Sequence, residues 1–130
     1  MNHNRPEAAL RLSSTLLMVR DRSSLEVLMV ARNYEIDFAS GALVFPGGKV
    51  CADDHDPRWA DLTDGGFQGE ERALRVAAIR EAFEESGLLA ARTHELAGPT
   101  ACLVGEDQVA PLRLHRAAID RGEASFCDHI

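Results

Sequence analysis

The sequence predicts a single α+β domain, because three short apolar runs typical of strands precede one strongly helical segment. A length of 130 residues fits one domain, and 45% hydrophobic with 27% charged residues is typical of a folded globular chain. The formal net charge of −7 argues against nonspecific binding of nucleic acid or of an anionic membrane. The acidic surplus leaves two interpretations: carboxylates scattered for solubility, or carboxylates gathered to bind a cation.

The first part of the chain predicts strands. Two leucine-rich runs, Leu10–Val19 and Leu25–Ala31, lie on either side of a turn-like segment and predict an antiparallel hairpin. Ala42–Phe45 predicts a third short strand, which ends in an irregular turn at 46–48. Residues 51–69 carry Asp and Gly with no sustained period, so they predict one long loop.

A helix is predicted from Gly69 or Glu70 to Ser86, since acids occupy its first turn and Gly87 supplies a C-terminal stop. After it, the sequence predicts a short strand, an extended segment, a weakly amphipathic helix stopped at Gly122 and the first turns of another helix. These elements span Leu88–Ala91, Thr100–Val104, Pro111–Arg121 and Ser125–Ile130.

The polar first residues and the spacing of the cysteines predict the cellular compartment of the protein. Residues 1–8 are polar and predicted to be disordered, and no apolar run reaches the ~20 residues of a membrane helix. Cys51, Cys102 and Cys127 have no Cys-x-x-Cys spacing, so we expect reduced thiols. We therefore expect a cytoplasmic protein without membrane partners.

Three glutamates are predicted to share one face of the helix. With Glu81 at zero and about 100° per residue, Glu84 and Glu85 fall at about 300° and 40°, whereas Val76 and Phe83 lie nearly opposite. A solvated surface is the ordinary interpretation of such acids. However, like charges one turn apart repel, and the last turn is the negative end of the helix dipole. A divalent cation such as Mg²⁺ or Mn²⁺ would remove both costs.

A second pattern is Phe45-Pro46-Gly47-Gly48-Lys49, in which two glycines after a strand allow close approach of a metal or phosphate. Together the two patterns resemble the Nudix hydrolase signature, G-x5-E-x7-R-E-U-x-E-E-x-G-U, in which U is a bulky apolar residue. Arg80 to Leu88 matches the second half, with only Ala82 small for its position. The segment between Gly48 and Arg80 is 18 residues longer than in the signature. Counted back from Arg80, Arg72 stands where the first glutamate is expected.

The resemblance implies an α/β/α sandwich with a mixed sheet, and hydrolysis of a nucleoside diphosphate linked to another moiety. It implies that Arg80, Glu81, Glu84 and Glu85 are catalytic, with Arg80 holding a glutamate by an ion pair. It also implies an Mg²⁺ or Mn²⁺ site formed by the three glutamates and the backbone of Gly48. The expected partner is therefore a small nucleotide substrate and not a nucleic acid.

Upstream of the glycine pair, the spacing is similar to that of family members that cleave coenzyme A, L-L-T-x-R-[SA]-x3-R-x3-G-x3-F-P-G-G. Arg32 and Gly41 match this pattern, whereas three other positions do not. An insertion inside the signature is also a feature of one coenzyme A-cleaving branch. We therefore expect Arg32, Gly41 and Lys49 to bind substrate. Coenzyme A or acyl-coenzyme A is one candidate, and ADP-ribose or NADH-type compounds are the alternative.

Other polar residues are assigned lesser roles. Asp53-Asp54-His55-Asp56 is interpreted as a solvated loop in preference to an accessory cation site. His94, His115 and His129 are assigned no role, and Glu106 is one candidate general base.

The C-terminal part, 93–130, predicts a helical tail with at most one weak strand, whereas a Nudix domain has further strands and a packing helix after the signature. We therefore expect a single domain, 1–130, that is incomplete at its C-terminus and whose open sheet edge favours a homodimer. Two other functions stay open. One is a catalytically idle Nudix-like module that binds a nucleotide or a partner protein, and the other is a plain acidic interaction domain.

Overall fold

The computed structural model describes residues 9–31, 41–92 and 103–130, and it confirms the predicted α+β class. Its strands are β1 (Ser13–Thr15), β2 (Val19–Asp21), β3 (Leu25–Val27), β4 (Val30–Ala31), β5 (Leu43–Val44) and β6 (Gly47–Lys49). They form three antiparallel pairs, β1 with β6, β2 with β3 and β4 with β5. Within the described residues no two strands pair in parallel.

The third predicted strand is present as β5, and an antiparallel hairpin is present but shifted from the prediction. The strand within 10–19, β1, pairs with β6, and the hairpin strand β2 extends into the segment predicted as a turn. Val19 pairs with Val27 across β2 and β3, in the register that the alternating side chains require. The same leucine-rich run continues into β4, where Val30 pairs with Val44 of β5. The N-terminal sequence therefore builds small antiparallel ladders, in agreement with the strands that its leucine-rich runs predict.

The irregular turn predicted at 46–48 is wrong, because Gly47–Lys49 forms β6 and pairs with β1. Glycine is a poor strand former, so its pattern favoured a turn. At this position, however, the missing side chain is what allows the pairing. A β-carbon on Gly47 would lie 2.3 Å from the carbonyl oxygen of Ser14 and 2.8 Å from the Cα of Thr15.

The main helix, α2, follows a short helix α1 (Trp59–Leu62) and spans Gly69–Ser86, as predicted. It ends where Gly87 adopts a left-handed backbone with φ 72°, and the N–H of Gly87 donates to the carbonyl of Phe83 at 2.8 Å. Glycine is favoured there because it carries no β-carbon. This stop fixes the position of the glutamates in the last turns.

Residues 51–69 are not one long loop, contrary to the prediction. A 3₁₀ turn spans Ala52–His55, and α1 follows it. The indole N–H of Trp59 donates to the carbonyl of Asp53 at 2.9 Å, and the ring is buried. The segment therefore contributes to the core, which its irregular sequence pattern did not predict.

The C-terminal helices also differ from the prediction. Instead of one helix over 111–121, α3 spans Glu106–Arg113 and α4 spans Arg116–Asp120, and Gly122 follows with φ 67°. Pro111 lies inside α3, where the sequence placed a helix start. The segment predicted as a strand at 88–91 makes only an isolated bridge, Ala90 to Leu103. Residues 93–102 lie outside the described part of the chain.

The predicted start of a further helix at 125–130 is instead a 3₁₀ turn, Phe126–Asp128, that packs into the core. The Phe126 ring lies 5.6 Å from the Trp59 ring and 5.8 Å from the Phe83 ring, measured between centroids. Val76 and Val109 are buried in the same cluster. The core thus joins α2, the segment after β6 and the C-terminal turn, and it fixes one side of α2.

One face of the β2–β3 hairpin is uncovered by the described residues. Leu17, Val19 and Leu25 alternate onto this face and are 57%, 61% and 68% exposed. Arg20 and Glu26 form an ion pair on the opposite face. Among the described helices, none is both long enough and apolar enough to span a bilayer.

Candidate active site

Strand β6 lies against the C-terminal half of α2 and brings the glycine pair to two of the predicted glutamates. The N–H of Gly47 donates to Oε2 of Glu85 at 3.1 Å. A β-carbon on Gly48 would stand 2.3 Å from the carboxyl carbon and Oε1 of Glu81, and 2.5 Å from its Oε2. The absence of two side chains therefore lets the strand backbone meet two carboxylates.

Arg80 is buried behind these groups and uses all three guanidinium nitrogens. Its Nε and Nη2 donate to the two carboxylate oxygens of Asp54, at 2.8 and 3.0 Å. Its Nη1 donates to Glu84 and to Glu81, each at 3.0 Å, and Nη2 also donates to the carbonyl of Lys49 at 3.0 Å. The planar guanidinium thus fixes three carboxylates and the end of β6 in one network.

Asp54 is the residue that the sequence interpretation missed. It is fully buried, and it accepts the N–H of Cys51 at 2.8 Å in addition to Arg80. Counted forward from Gly48, Asp54 occupies the position of the first glutamate of the signature. The extra residues then lie between Asp54 and Arg80, and counting forward from Gly48 would have revealed this.

The solvated loop predicted for 53–56 is therefore wrong for two of its acids. Besides Asp54, Asp53 accepts hydrogen bonds from the Ser125 hydroxyl at 2.5 Å and from the N–H of Phe126 at 2.9 Å. The two neighbouring acids thus bind different partners. Asp54 binds Arg80 of α2, and Asp53 binds the C-terminal turn. Their close sequence spacing alone did not show this.

The helical wheel predicted three acids facing away from the core, and this is wrong for Glu84. Its side chain is buried, and both carboxylate oxygens accept from Nη1 of Arg80. Burial raises the pKa of Glu84 to about 7, although the positive charge of Arg80 opposes this. Glu81 is half-buried and Glu85 exposed. Across the described ranges, no three acidic, histidine or cysteine side chains converge as a metal cluster.

Two arginines offset the negative end of the α2 dipole, where the sequence places Glu84 and Glu85. Nε of Arg116 donates to the carbonyl of Glu84 at 2.8 Å, and Nε of Arg113 donates to the carbonyl of Gly87 at 2.9 Å. Cations at this end stabilise a helix. The acids at the end of α2 are thus tolerated partly through α3 and α4.

Of the other predicted positions, Lys49 joins the Arg80 network through its carbonyl, and the rest are described elsewhere in the fold or lie outside the described chain. Gly41 has φ 84° and precedes β5, and the Lys49 side chain is exposed. Arg32 and His94 lie outside the described residues. Glu106 forms a bidentate ion pair with Arg113 at 2.6 and 3.0 Å. His115 and His129, assigned no role, stack with their ring centroids 4.0 Å apart.

A cavity of about 220 Å³ adjoins the arginine network. Arg80 and Glu84 line one part of it, and Cys51, Asp53 and Ser125 line another. Ile119 and Ala124 add apolar wall, and the shared residues Arg80 and Glu84 place the cavity beside the same network.

Two known proteins that resemble this chain are both named as Nudix hydrolases. No family model matches the chain. A curated Caenorhabditis elegans protein named "Putative nudix hydrolase 7" is 35% identical over 80 residues, which are 62% of this chain and 23% of that protein. The crystal structure of a NUDIX hydrolase from Alicyclobacillus acidocaldarius matches with a TM-score of 0.55 and 30% identity, covering 88% of this chain and 55% of that one.

The chain therefore spans about half of the crystallised relative and less than a quarter of the curated one. The likeness nevertheless extends over most of the present fold. The fold is similar to that of a Nudix hydrolase, and both matched proteins are named as Nudix hydrolases.

Proposed function

We propose that this chain hydrolyses the diphosphate bond of a nucleoside diphosphate linked to another moiety. Mg²⁺ or Mn²⁺ would be bound by Glu81, Glu84, Glu85 and the backbone of Gly48. The observation that carries the proposal is the contact of Gly47 and Gly48 with Glu85 and Glu81. The contact joins the two halves of the sequence pattern, which are far apart along the chain. It brings the backbone of the glycine pair next to two carboxylates.

The donor set has the chemistry that a hard divalent cation requires. Carboxylates of Glu81, Glu84 and Glu85 and the backbone of Gly48 supply only oxygen ligands, as Mg²⁺ and Mn²⁺ prefer. A side chain on Gly48 would fill the space beside Glu81, so the glycine keeps that space open. When bound, the ion would polarise a phosphoryl oxygen and lower the pKa of a coordinated water.

The residues of the chain position these groups. Arg80 holds Glu81 and Glu84 by ion pairs, which limits the rotation of both carboxylates. The N–H of Gly47 orients Glu85. A carboxylate of this cluster would accept the proton of the attacking water.

Within this class, we propose coenzyme A or acyl-coenzyme A as the substrate, on the spacing from Leu28 through Arg32 and Gly41 to Gly48. The left-handed turn at Gly41 supports a backbone requirement at that position. ADP-ribose and NADH-type compounds are the competing substrates.

The test is turnover of a panel with Mg²⁺ or Mn²⁺, followed by mass spectrometry of the products. The panel contains coenzyme A, acyl-coenzyme A, ADP-ribose, NADH and dinucleoside polyphosphates. Glu81→Gln and Glu85→Gln should each lower kcat by about 10²-fold or more, equal to about 3 kcal/mol of barrier. The matched control is Glu70→Gln, an exposed acid in the first turn of the same helix, and it should leave kcat unchanged.

The alternative is an idle Nudix-like module that binds a nucleotide without hydrolysing it. Its support is the burial of Glu84 against Arg80, which withdraws one carboxylate from the surface. Binding of a panel compound without turnover would favour this module and refute hydrolysis.

A further inference from the structure

Ser14 carries a buried hydroxyl that the fold leaves unpaired. Its Oγ is inaccessible to solvent and has no hydrogen-bond partner among the described residues. A buried polar group without a partner costs about 1–3 kcal/mol. Such groups are rare in native proteins and often mark a functional position or an absent water or ion.

The sheet register places this hydroxyl beside the candidate site. Ser14 of β1 pairs directly with Gly48 of β6. Residues opposite each other in an antiparallel pair point to the same face, with β-carbon positions about 5 Å apart. The β-carbon direction of Gly48 points at the carboxylate of Glu81, so Ser14 also faces that carboxylate.

Among the described residues, the carboxylate of Glu81 is held from the side of Arg80. Arg80 donates to its Oε1 at 3.0 Å. A second donor on the strand side would set the plane of the carboxylate as well as its position. The register places the Ser14 side chain on that side, and rotation about its χ1 angle moves the hydroxyl among three staggered positions.

We propose that Ser14 is a positioning residue, whose hydroxyl donates to Glu81, directly or through one water, when a divalent cation is bound and thereby orients that carboxylate toward the cation. This inference rests on the proposed function, because it needs a cation at Glu81. It also explains why a strand residue with an uncompensated hydroxyl faces the helix. Groups that orient metal ligands typically change metal affinity by about 10–100-fold when removed.

The test is Mn²⁺ binding to the full chain, measured by calorimetry and by the electron paramagnetic resonance signal of free Mn²⁺. Ser14→Ala should weaken Mn²⁺ binding about tenfold or more. Because it removes an unpaired hydroxyl, it should leave Tm in a chelator unchanged or raised. Ser14→Thr, which keeps the hydroxyl, should restore the affinity. Ser13→Ala, on the exposed neighbouring position of β1, is the matched control and should change nothing.

The outcomes separate this inference from the proposed function. Failure of the unmodified chain to bind Mn²⁺ overturns the metal site and the role of Ser14 with it. Binding by the unmodified chain with equal affinity in Ser14→Ala overturns only the role of Ser14. A fall of Tm in the chelator for Ser14→Ala would show a purely structural hydroxyl and also overturn the inference.

Discussion

The adjacent glycines of β6 should respond in opposite ways to the same substitution. In Gly47→Ala the new methyl meets backbone, 2.3 Å from the Ser14 carbonyl oxygen and 2.8 Å from the Thr15 Cα. In Gly48→Ala it meets the carboxylate of Glu81 at 2.3 Å, the far end of a flexible side chain. The first change should therefore affect stability, and the second should affect the site.

The expected change in stability depends on which atoms must move to accommodate the new methyl group. Relief of the Gly47 clash requires β1 to shift by about 1 Å, and overpacking of this kind costs about 1–3 kcal/mol. Each kcal/mol lowers Tm by about 2–8 °C for a domain of this size range. For Gly48→Ala, the loss of unfolded-state entropy stabilises by about 0.4–1 kcal/mol. The displaced Glu81 rotamer costs about 0.5–1.5 kcal/mol, so the net change is near zero.

The displaced carboxylate should nevertheless be costly for catalysis, since a shift of about 1 Å can lower a rate about 10²-fold. Tm in a chelator measures the effect on stability. Mn²⁺ affinity and kcat, on a substrate identified with the panel, measure the effect on the site. Gly105→Ala is the control, because a β-carbon there meets open space. Full activity in Gly48→Ala, or equal destabilisation of both variants, would refute the assignment of the glycine pair.

Three further outcomes are expected. Asp54→Asn should lower the free energy of unfolding by about 3 kcal/mol, because it leaves the buried Arg80 with one charged partner fewer. Asp56→Asn, near the surface, should have a much smaller effect, and urea unfolding measures both. Burial raises the pKa of the Cys127 thiol. Its labelling by iodoacetamide should therefore be slow at pH 8, and the rate should still rise at pH values where an unfolded thiol is already ionised. Peptide mass spectrometry measures the labelling, and rapid labelling at pH 8 would contradict burial. We also expect a homodimer through the uncovered hairpin face, which Val19→Asp should dissociate in sedimentation experiments; a monomer at all concentrations refutes it.

The sequence predicted the elements whose signals are local. The end of α2 at Gly87 needs only a left-handed residue after a helical run, and the β2–β3 hairpin needs only two short apolar runs around a turn. Such features are readable because the deciding atoms lie within a few residues of each other. The same holds for the close sequence match from Arg80 to Leu88.

Features decided by distant partners were not predictable in this way. The strand at Gly47 exists because β1 approaches too closely for a side chain, and nothing near Gly47 in sequence states where β1 lies. The burial of Glu84 depends on Arg80, but also on α3 and α4, whose arginines close the end of α2. A helical wheel contains none of these neighbours.

The segment between Gly48 and α2 shows why a long insertion can leave this cluster intact. Its first residues keep Asp54 at a fixed distance from the glycine pair, and Asp54 reaches Arg80 across 26 positions of sequence through two short hydrogen bonds. The residues after Asp54 include Trp59 of α1, which packs on Phe126. Extra length placed after the acid is accommodated at the core, where it adds buried aromatic surface instead of displacing the charged network. The same length placed between Gly48 and Asp54 would separate the acid from its arginine and leave Arg80 short of a buried partner.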